Sequence, residues 1–471
     1  MEENRAKNLA ALTVPLPEDI EKLKWHGDFT RALKIIENRL GKDIPGIMKE
    51  RLVLERDIIR QLPLQYPFSH QAALAFATER IEGFSEEELE NLIDENAIDW
   101  LYIEGERRIK DDFVDNLVKT RKDIRARIFD KSALAEGELE GRLRDQTIKR
   151  MKEKGGLAYY FRIRSTLKIR EAAFEPGKTV RVYLPIPLEY AQVRNFRLLH
   201  TSMEPLRTAP PLWPQRTVCF ETELTENSVF SIEYEFENHT PYIELDENRV
   251  TGAADAGKVL PDGSRLGNWL GEQLPQIRFT PFLKSLTEEV AGSEENPLCR
   301  AKRIYEYITS HVTYSFVRSY FTITDIPEYA AAGQKGDCGI QALLFITMCR
   351  LAGVPARWQA GLYTSPLEIS CHDWAQFYTP SHGWRYADCS FGGAAFREGE
   401  TERWDFYFGN LDPFRLPAAR EFGYEFEPPM DHLRNDPYDN QTGEAEYRDR
   451  SLAQEEYSTE YEMISLEDIT Y

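Results

Sequence analysis

Cysteine is scarce in this sequence, and the cysteine pairs that mark metal or redox sites are missing. Only 6 of the 471 residues are cysteine, and no two of them are spaced as C-x-x-C. Zinc ribbons and thioredoxin-like proteins carry such pairs, so the sequence lacks the signature of both classes. In a reducing compartment we expect scattered cysteines to remain thiols. The six are Cys219, Cys299, Cys338, Cys349, Cys371 and Cys389.

Long apolar runs are missing as well. The chain contains no run of about 18 apolar residues, which a membrane-spanning helix needs. The N-terminal stretch MEENRAKNLAALTVPLPEDIEKLKW has no apolar core of the kind found in secretory signal peptides. We therefore expect a cytoplasmic protein without a membrane span.

The third absence is an excess of positive charge. The formal net charge is −21 at pH 7, from 58 Lys and Arg against 79 Asp and Glu. Duplex nucleic acid and anionic membranes both attract basic protein surfaces. The charge therefore argues against nucleic acid and membrane as the main partners of this chain.

The chain is long enough for several domains, and its residue pattern changes along its length. Residues 1–150 are charged and helical in pattern, and are a candidate binding region for a protein partner. Residues 155–245 alternate apolar and polar positions in short runs, which predicts an antiparallel β-sandwich. Residues 246–420 mix helix and strand. Residues 421–471 are expected to form an acidic tail, partly disordered or docked, because residues 435–471 hold eleven carboxylates and two arginines.

The segment GDCGIQALLFITMCRLAGVPAR predicts a helix that begins at Cys338. An apolar stripe follows the cysteine, and Gly353 and Pro355 mark the end of the helix. Asp337 is the expected N-cap residue. The unpaired amide groups and the macrodipole at the start of a helix favour a thiolate at Cys338. These residues alone leave three interpretations open: a buried packing residue, a metal ligand or a nucleophile.

Two predicted strands downstream carry a histidine and an acid. CHDWAQFYT contains His372, and RYADCSF contains Asp388. A turn at PSHGW brings Asp388 opposite Ala375, which makes the histidine and the acid neighbours without forcing contact. Strand alternation puts His372 on the face of Trp374 and turns Asp373 to the other face. A cysteine at a helix start, with a histidine and an acid on adjoining strands, is the set that activates a thiol nucleophile.

The three blocks GDCGIQALLFITMCRLAGVPAR, GLYTSP and HDWAQFYTPSHGWRYADCSFGG resemble the core of the transglutaminase-like superfamily in residue type, order and spacing. The resemblance covers about a fifth of the chain, between residues 300 and 395. It implies that Cys338 is the nucleophile, His372 the base and Asp388 the orienting acid. It also implies a papain-like core in which the cysteine helix packs on an antiparallel sheet. We therefore predict a multidomain α+β protein whose catalytic core is residues 246–420.

The resemblance implies acyl transfer at an amide bond, through a thioester on Cys338, with a peptide or protein as the substrate. Water as the acceptor gives a cysteine protease or amidase, and a lysine-like amine gives a transglutaminase. The expected cytoplasmic location and the lack of a visible calcium-binding loop favour hydrolysis. The alternative is a non-catalytic interaction or scaffold protein that retains the same core.

We expect no cofactor and no metal. A zinc site made of Cys371, His372, Asp388 and Cys389 is disfavoured, because adjacent residues of a strand point to opposite faces. For the same reason Cys371 and Cys389 are expected to be packing residues.

The remaining site residues are marked less well by the sequence. An oxyanion hole would combine the backbone amide of Cys338 with a second donor. Candidates for that donor are Gln334, Tyr320 and Tyr314. Candidates for the wall of the substrate cleft are Trp374, Trp404, Tyr407 and Asn410.

Overall fold

The chain folds as a mixed α+β protein. The computed structural model describes residues 7–226, 229–249, 252, 254–260 and 263–471. Helices dominate the N-terminal part, two antiparallel sheets follow, and a third antiparallel sheet packs with helices further along the chain. Among the described residues, no helix is both long enough and apolar enough to cross a membrane.

The N-terminal part consists of helices and one small sheet. The helices are α1 (Lys7–Ala10), α2 (Glu18–Trp25), α3 (Phe29–Leu40), α4 (Gly46–Gln65), α5 (His70–Thr78), α6 (Glu86–Asp94), α7 (Phe113–Thr120), α8 (Lys122–Arg127) and α9 (Ser132–Lys154). The strands are β1 (Phe68–Ser69), β2 (Trp100–Ile103) and β3 (Glu106–Ile109), in the order β1-β3-β2. Ile36 and Ile58 belong to the main hydrophobic core, whereas Leu89 and Phe113 belong to a second, smaller one. The N-terminal part is therefore built around two separate cores.

Two antiparallel sheets occupy the middle of the chain. Their strands are β4 (Gly156–Ile169), β5 (Thr179–Pro185), β6 (Val193–Thr201), β7 (Arg207–Thr208), β8 (Thr217–Glu223) and β9 (Val229–Pro241). Strand β4 pairs with β9 along almost its whole length, and β5 pairs with β8. The apolar faces of the two sheets meet where the rings of Phe220 and Phe230 lie 6.0 Å apart. Alternating apolar residues, buried on the facing sides, explain why these segments are strands.

The third sheet has five antiparallel strands and carries the candidate site. It consists of β12 (Ala356–Thr364), β13 (Ile369–Thr379), β14 (Gly383–Ala387), β15 (Phe408–Gly409) and β16 (Arg415–Ala419), in the order β15-β14-β13-β12-β16. The surrounding helices are α10 (Pro281–Ala291), α11 (Pro297–His311), α12 (Ile326–Gly333), α13 (Cys338–Leu351), α14 (Cys389–Glu398) and α15 (Thr401–Phe406). Two short parallel strands, β10 (Thr313–Tyr314) and β11 (Lys335–Gly336), precede α13.

Helix α13 is buried against β13. The ring of Phe345 meets the ring of Phe377 edge-on, with centroids 6.0 Å apart. Residues from Gly339 to Arg350 are all buried, which explains why the helix is apolar on every side. The packing fixes the start of α13, and with it Cys338, next to the first half of β13.

The hairpin of β13 and β14 has a register that differs by one residue from the sequence-based prediction. Ala375 pairs with Ala387, not with Asp388. Because strand side chains alternate, this shift moves Asp388 to the face that carries His372 and Trp374. The histidine and the acid therefore face the same side of the sheet.

Residues 421–471, where the composition favours a solvated tail, contribute three strands. These are β17 (Glu444–Tyr447), β18 (Arg450–Ser451) and β19 (Tyr457–Asp468). Strand β17 pairs with β5, and β19 pairs with β4 from Tyr457 opposite Ile169 to Asp468 opposite Tyr159. The acids are accommodated because several have internal partners: Nε of Arg434 lies 2.7 Å from Glu444, and both side chains are buried. Composition alone does not reveal such pairing.

Candidate active site

Cys338 is the first residue of α13 and opens onto a cleft. The side chain of Asp337 caps the helix by accepting the backbone N–H of Ile340 at 3.1 Å. The hydroxyl of Tyr320 donates to the same carboxyl at 2.5 Å. The thiol of Cys338 donates to Oδ2 of Asp373 at 3.3 Å. A helix start, an N-cap and a strand carboxyl therefore hold the sulfur in place.

The cleft has a volume of about 430 Å³ and is walled on one side by the C-terminal segment. That segment contributes Asp436, Asp439 and Gln441 to the wall. Gln441 donates from Nε2 to Oδ1 of Asp373 at 2.7 Å. Residues about a hundred positions after the cysteine thus complete the surroundings of its sulfur.

His372 and Asp388 form a buried pair. Nε2 of His372 lies 2.7 Å from Oδ2 of Asp388. Oδ1 of Asp388 also caps α14 by accepting the backbone N–H of Phe391 at 2.9 Å. Nη1 of Arg415 lies 2.9 Å from the oxygen that holds the histidine, and Arg415 is fully buried. The carboxylate thus fixes the ring, and the arginine fixes the carboxylate.

The charges around this pair keep the acid ionised. Burial alone would raise the pKa of Asp388, but its interactions with His372 and Arg415 lower it to about 2. Burial lowers the pKa of His372 in spite of the neighbouring carboxylate. The ring is therefore neutral near pH 7 and can accept a proton.

The electrostatics at Cys338 differ from the prediction made from the helix start. Burial, together with the carboxyls of Asp373 and Asp337, raises the pKa of the Cys338 thiol well above its usual range. The sequence analysis placed Asp373 on the face opposite His372, but it did not anticipate that this face meets the sulfur. In the free protein the cysteine is therefore a neutral thiol.

Among the described residues, no hydrogen bond joins Sγ of Cys338 to the ring of His372. The thiol is engaged by Asp373, and Nε2 of the ring is engaged by Asp388. Nδ1 is then the ring nitrogen that remains for proton exchange. The structure brings His372 and Asp388 together, and the catalytic roles of all three residues stay predictions.

The three candidates for the oxyanion donor lie in two places. Tyr314 and Tyr320 line the cleft together with Cys338. Gln334 ends α12 with a left-handed φ of 49°, and it lines a separate cavity of about 310 Å³. The turn at Gln334 directs the residue away from the sulfur.

The four candidates for the cleft wall lie away from the cleft of Cys338. Trp374 is fully buried and donates from Nε1 to Gln359 at 2.7 Å. Tyr407 is fully buried and its hydroxyl donates to Asp412 at 3.1 Å. Trp404 and Asn410 line another cavity of about 300 Å³. Trp374 lies two residues after His372 on β13, so its side chain faces the buried pair of His372 and Asp388 and not the sulfur.

The cysteines next to the histidine and the acid point in different directions. Cys371 is exposed and lines the cleft with Cys338, so the expectation that it is a packing residue is wrong. It lies on the face of β13 opposite His372, as strand alternation requires. Cys389 is buried as the first residue of α14, in agreement with the expectation. Within the described part of the chain, no group of three or more His, Cys, Asp and Glu residues is arranged to hold a metal ion.

Sequence reasoning missed four residues that shape the site: Arg415, Asp439, Gln441 and Asp373. Arg415 lies in the segment LDPFRLP, where nothing marks an arginine as buried. Asp439 and Gln441 lie in the segment that its acidity suggested would be solvated. The sequence signal for Asp373 was the alternation of side chains along β13, which places Asp373 on the face opposite His372.

A comparison with protein families identifies the segment that contains these residues. Residues 284–389 match the family model described as Transglutaminase-like superfamily. This match confirms the resemblance that the sequence motifs indicated. No curated protein matches the chain.

Solved structures resemble the chain only distantly. A proposed cysteine protease from Cytophaga hutchinsonii is 14% identical with a TM-score of 0.43, and the match covers 67% of this chain and 92% of that one. The periplasmic domain of TgpA from Pseudomonas aeruginosa is 14% identical with a TM-score of 0.29, covering 55% of this chain and 95% of that one. TM-scores as low as these do not establish a shared fold.

Proposed function

Because residues 284–389 match the transglutaminase-like family model, we propose that the chain is an enzyme that transfers acyl groups from amide bonds of peptides or proteins. Cys338 is the nucleophile and forms a thioester. The observation that carries the proposal is the position of Cys338, which is the first residue of a buried helix and faces a cleft of about 430 Å³.

The proposed reaction uses the buried pair to move one proton. The reaction requires Nδ1 of His372 to take the proton of the Cys338 thiol, which in the free protein contacts Asp373 on the opposite face of β13. The sulfur then attacks the carbonyl carbon of the amide. The protonated ring then gives its proton to the leaving amine as the thioester forms. Asp388 stabilises the positive ring, and Arg415 keeps Asp388 ionised.

We favour water as the acceptor that resolves the thioester, so that the product is a carboxylic acid. We also interpret the five-stranded sheet with α13 as a papain-like core, and the two facing sheets as a β-sandwich. In this interpretation the N-terminal helices form a separate region that binds a protein partner, and the protein acts in the cytoplasm without a cofactor.

The test compares hydrolysis with amine transfer in one set of variants. Fluorescently labelled casein reports hydrolysis, and incorporation of dansylcadaverine into casein reports transfer to an amine. We expect Cys338→Ser and His372→Ala each to lower turnover at least about a hundredfold. Cys299→Ser is the matched control, since Cys299 lies on α11 and not in the cleft.

The outcome separates the proposal from its alternative. Turnover that survives in Cys338→Ser would remove the cysteine from the reaction. If the wild-type chain turns over neither substrate and forms no acyl-enzyme that hydroxylamine can release, the non-catalytic scaffold is the better description. The raised pKa of the free Cys338 thiol is the observation that keeps this alternative in view.

A further inference from the structure

Asp373 contacts the candidate nucleophile but has no role in the reaction described above. Its Oδ2 lies 3.3 Å from Sγ of Cys338, and its Oδ1 accepts a hydrogen bond from Gln441 at 2.7 Å. The side chain of Asp439 makes a further hydrogen bond with the same carboxyl. Asp373 is only 3% exposed. Its carboxyl is therefore held rigidly, with one oxygen directed at the sulfur.

The surroundings of Asp373 favour its neutral form. Two buried carboxyls in hydrogen-bond contact cannot both be ionised, because the like charges repel and water is excluded. The pair of Asp373 and Asp439 therefore holds at least one proton near pH 7. Within the described residues, no Lys, Arg or His forms an ion pair with the carboxyls near the sulfur. These are Asp337, Asp373, Asp436 and Asp439.

We propose that Asp373 acts as a neutral carboxylic acid whose Oδ2–H donates a hydrogen bond to the anionic sulfur of Cys338. The inference rests on the nucleophilic role proposed for Cys338. In the free protein the thiol donates to Oδ2. When Nδ1 of His372 takes the thiol proton, the contact reverses and the O–H of Asp373 turns toward the sulfur.

The step is balanced without any proton leaving Asp373. The S–H bond breaks, an N–H bond forms on His372, and the carboxyl keeps its own hydrogen. A hydrogen bond to a charged atom is worth more than one between neutral groups, and it grows stronger as the charge appears on sulfur. Asp373 would thereby offset the cost of a thiolate in a buried position.

Other titratable groups also face this sulfur. They are Asp337 at the start of α13, Tyr320, Tyr314 of β10, Lys119 of α7, Cys371 of β13, and Asp436. The hydroxyl of Tyr320 is committed to Asp337. Nζ of Lys119 lies 4.4 Å above the ring of Tyr314, and burial lowers the pKa of this lysine. Among the carboxyls of the described residues, Asp373 is the one in hydrogen-bond contact with the sulfur, which makes it the natural donor.

The proposal has a consequence for pH dependence. Burial raises the pKa of Asp373 to about 8. Below that pH the carboxyl is neutral and can donate to the sulfur when the thiolate forms. Above it, a negative charge next to the sulfur raises the pKa of Cys338 and opposes thiolate formation. Replacing Asp373 by a residue that cannot donate a hydrogen bond should therefore lower the reactivity of the thiol below about pH 8 and raise it above that pH.

Alkylation by iodoacetamide tests this without any substrate. The rate at Cys338 is followed by peptide mass in the full chain from pH 6 to pH 9.5, for the wild type, Asp373→Asn and Asp373→Ala. Asn keeps a hydrogen-bond donor but cannot become charged. We expect the Asp373→Asn rate to equal the wild-type rate at pH 6 and to exceed it at least about threefold at pH 9.5, with a midpoint near pH 8. Asp373→Ala loses the donor, so its rate at pH 6 should fall roughly tenfold.

Controls keep the result interpretable. Glu455 is a cleft carboxylate for which no contact with the sulfur exists among the described residues, so Glu455→Gln should follow the wild-type profile. Thermal melting establishes that each variant is folded. The wild type alone must show an inflection within the measured pH range in its alkylation profile, so the test survives even if a variant does not fold.

A wild-type profile without that inflection, or a ratio between Asp373→Asn and wild type that does not change with pH, would overturn the inference. An Asp373→Ala rate equal to that of the wild type at pH 6 would overturn it too. These outcomes are independent of the casein assays, because alkylation reports only the thiol. Turnover that survives in Cys338→Ser would contradict the proposed enzyme function. An alkylation profile without the expected pH dependence would contradict the role of Asp373.

Discussion

Nε2 of His372 and Oδ2 of Asp388 lie 2.7 Å apart, and both side chains are buried, with the imidazole 5% exposed and the carboxylate 0%. Nη1 of Arg415 lies 2.9 Å from the same oxygen. The carboxylate is thus shared between a ring and a guanidinium, away from solvent. In this buried trio His372 and Arg415 both lower the pKa of Asp388.

Arg415 is the member whose removal should cost the most stability. Its guanidinium neutralises both Asp388 and Asp412, and all three side chains are fully buried. We expect Arg415→Gln to lower the free energy of unfolding by about 3 to 5 kcal/mol, because two buried carboxylates lose their counter-charge. Urea denaturation at pH 7 measures the change.

The control for Arg415 is an ion pair at the surface. Arg39 lies 2.6 Å from Asp19, and both side chains are substantially exposed. Solvent screens such a pair, so Arg39→Gln should cost less than about 1 kcal/mol. Equal losses for the two variants would contradict the importance of the buried trio.

Glu444 should make the protein less stable at high pH. Burial raises the pKa of Glu444 to about 7, despite its ion pair with Arg434. A carboxyl whose pKa is higher in the folded state stabilises the fold when protonated, and this contribution is lost as pH rises from about 4 to about 7. We expect the free energy of unfolding to be lower at pH 8 than at pH 5, and Glu444→Gln to reduce the difference by roughly 3 kcal/mol.

Urea denaturation at the two pH values gives the comparison for Glu444. Glu175 pairs with Lys178 at the surface, so Glu175→Gln should leave the pH dependence unchanged. If Glu444→Gln shows the same difference between pH 5 and pH 8 as the wild type, the buried carboxyl is not the titrating group.

Removal of β19 should disrupt the sheet that contains β4. The strand pairs with β4 from Tyr457 to Asp468, and Tyr457 is buried. Its loss would leave β4 as an exposed edge with unpaired backbone groups. We expect a chain truncated after Gln454 to be insoluble or rapidly cleaved by trypsin. A chain lacking only Tyr471, which is fully exposed, should behave like the wild type.

Soluble, protease-resistant behaviour of the chain that ends at Gln454 would show that β4 tolerates an open edge. Limited proteolysis followed by gel electrophoresis distinguishes the two results. Hydrogen exchange at the amides of β4 provides a second measurement, since pairing with β19 should slow it.

The contact between Phe345 and Phe377 should hold the cysteine helix to its sheet. Both side chains are fully buried. Phe377→Ala should lower the free energy of unfolding by about 3 to 5 kcal/mol, because it leaves a cavity under α13. Phe396, which is 41% exposed, is the matched control, and its replacement by alanine should cost much less. Thermal or urea denaturation of the two variants measures both losses in stability.

Local signals in the sequence predicted much of the core. The start of α13 at Cys338, its cap at Asp337 and the strands on either side of the turn at residues 381–382 agree with the structure. The register of the hairpin formed by β13 and β14 differs from the prediction by one residue. Turn length sets register, and a one-residue difference decides whether Asp388 faces His372.

Interactions between segments that are distant in the chain could not be predicted from the sequence. Arg415 is held in the core by Asp388 and Asp412, and Gln441 is held half-buried at the cleft wall by Asp373. Charge and polarity suggest solvent exposure for each of these residues. Only the partners, which lie elsewhere in the chain, make burial favourable. The same explanation applies to the strands between residues 444 and 468, because several of their carboxylates form ion pairs with arginines far away in sequence.

The wall formed by Asp436, Asp439 and Gln441 has a consequence for biosynthesis. About a hundred residues separate these positions from Cys338, so a ribosome has already released α13 before it makes them. During that interval the sulfur lacks the carboxyl and amide groups that later surround it. A nascent chain therefore carries the Cys338 thiol in incomplete surroundings, and these are completed only when translation has passed Gln441.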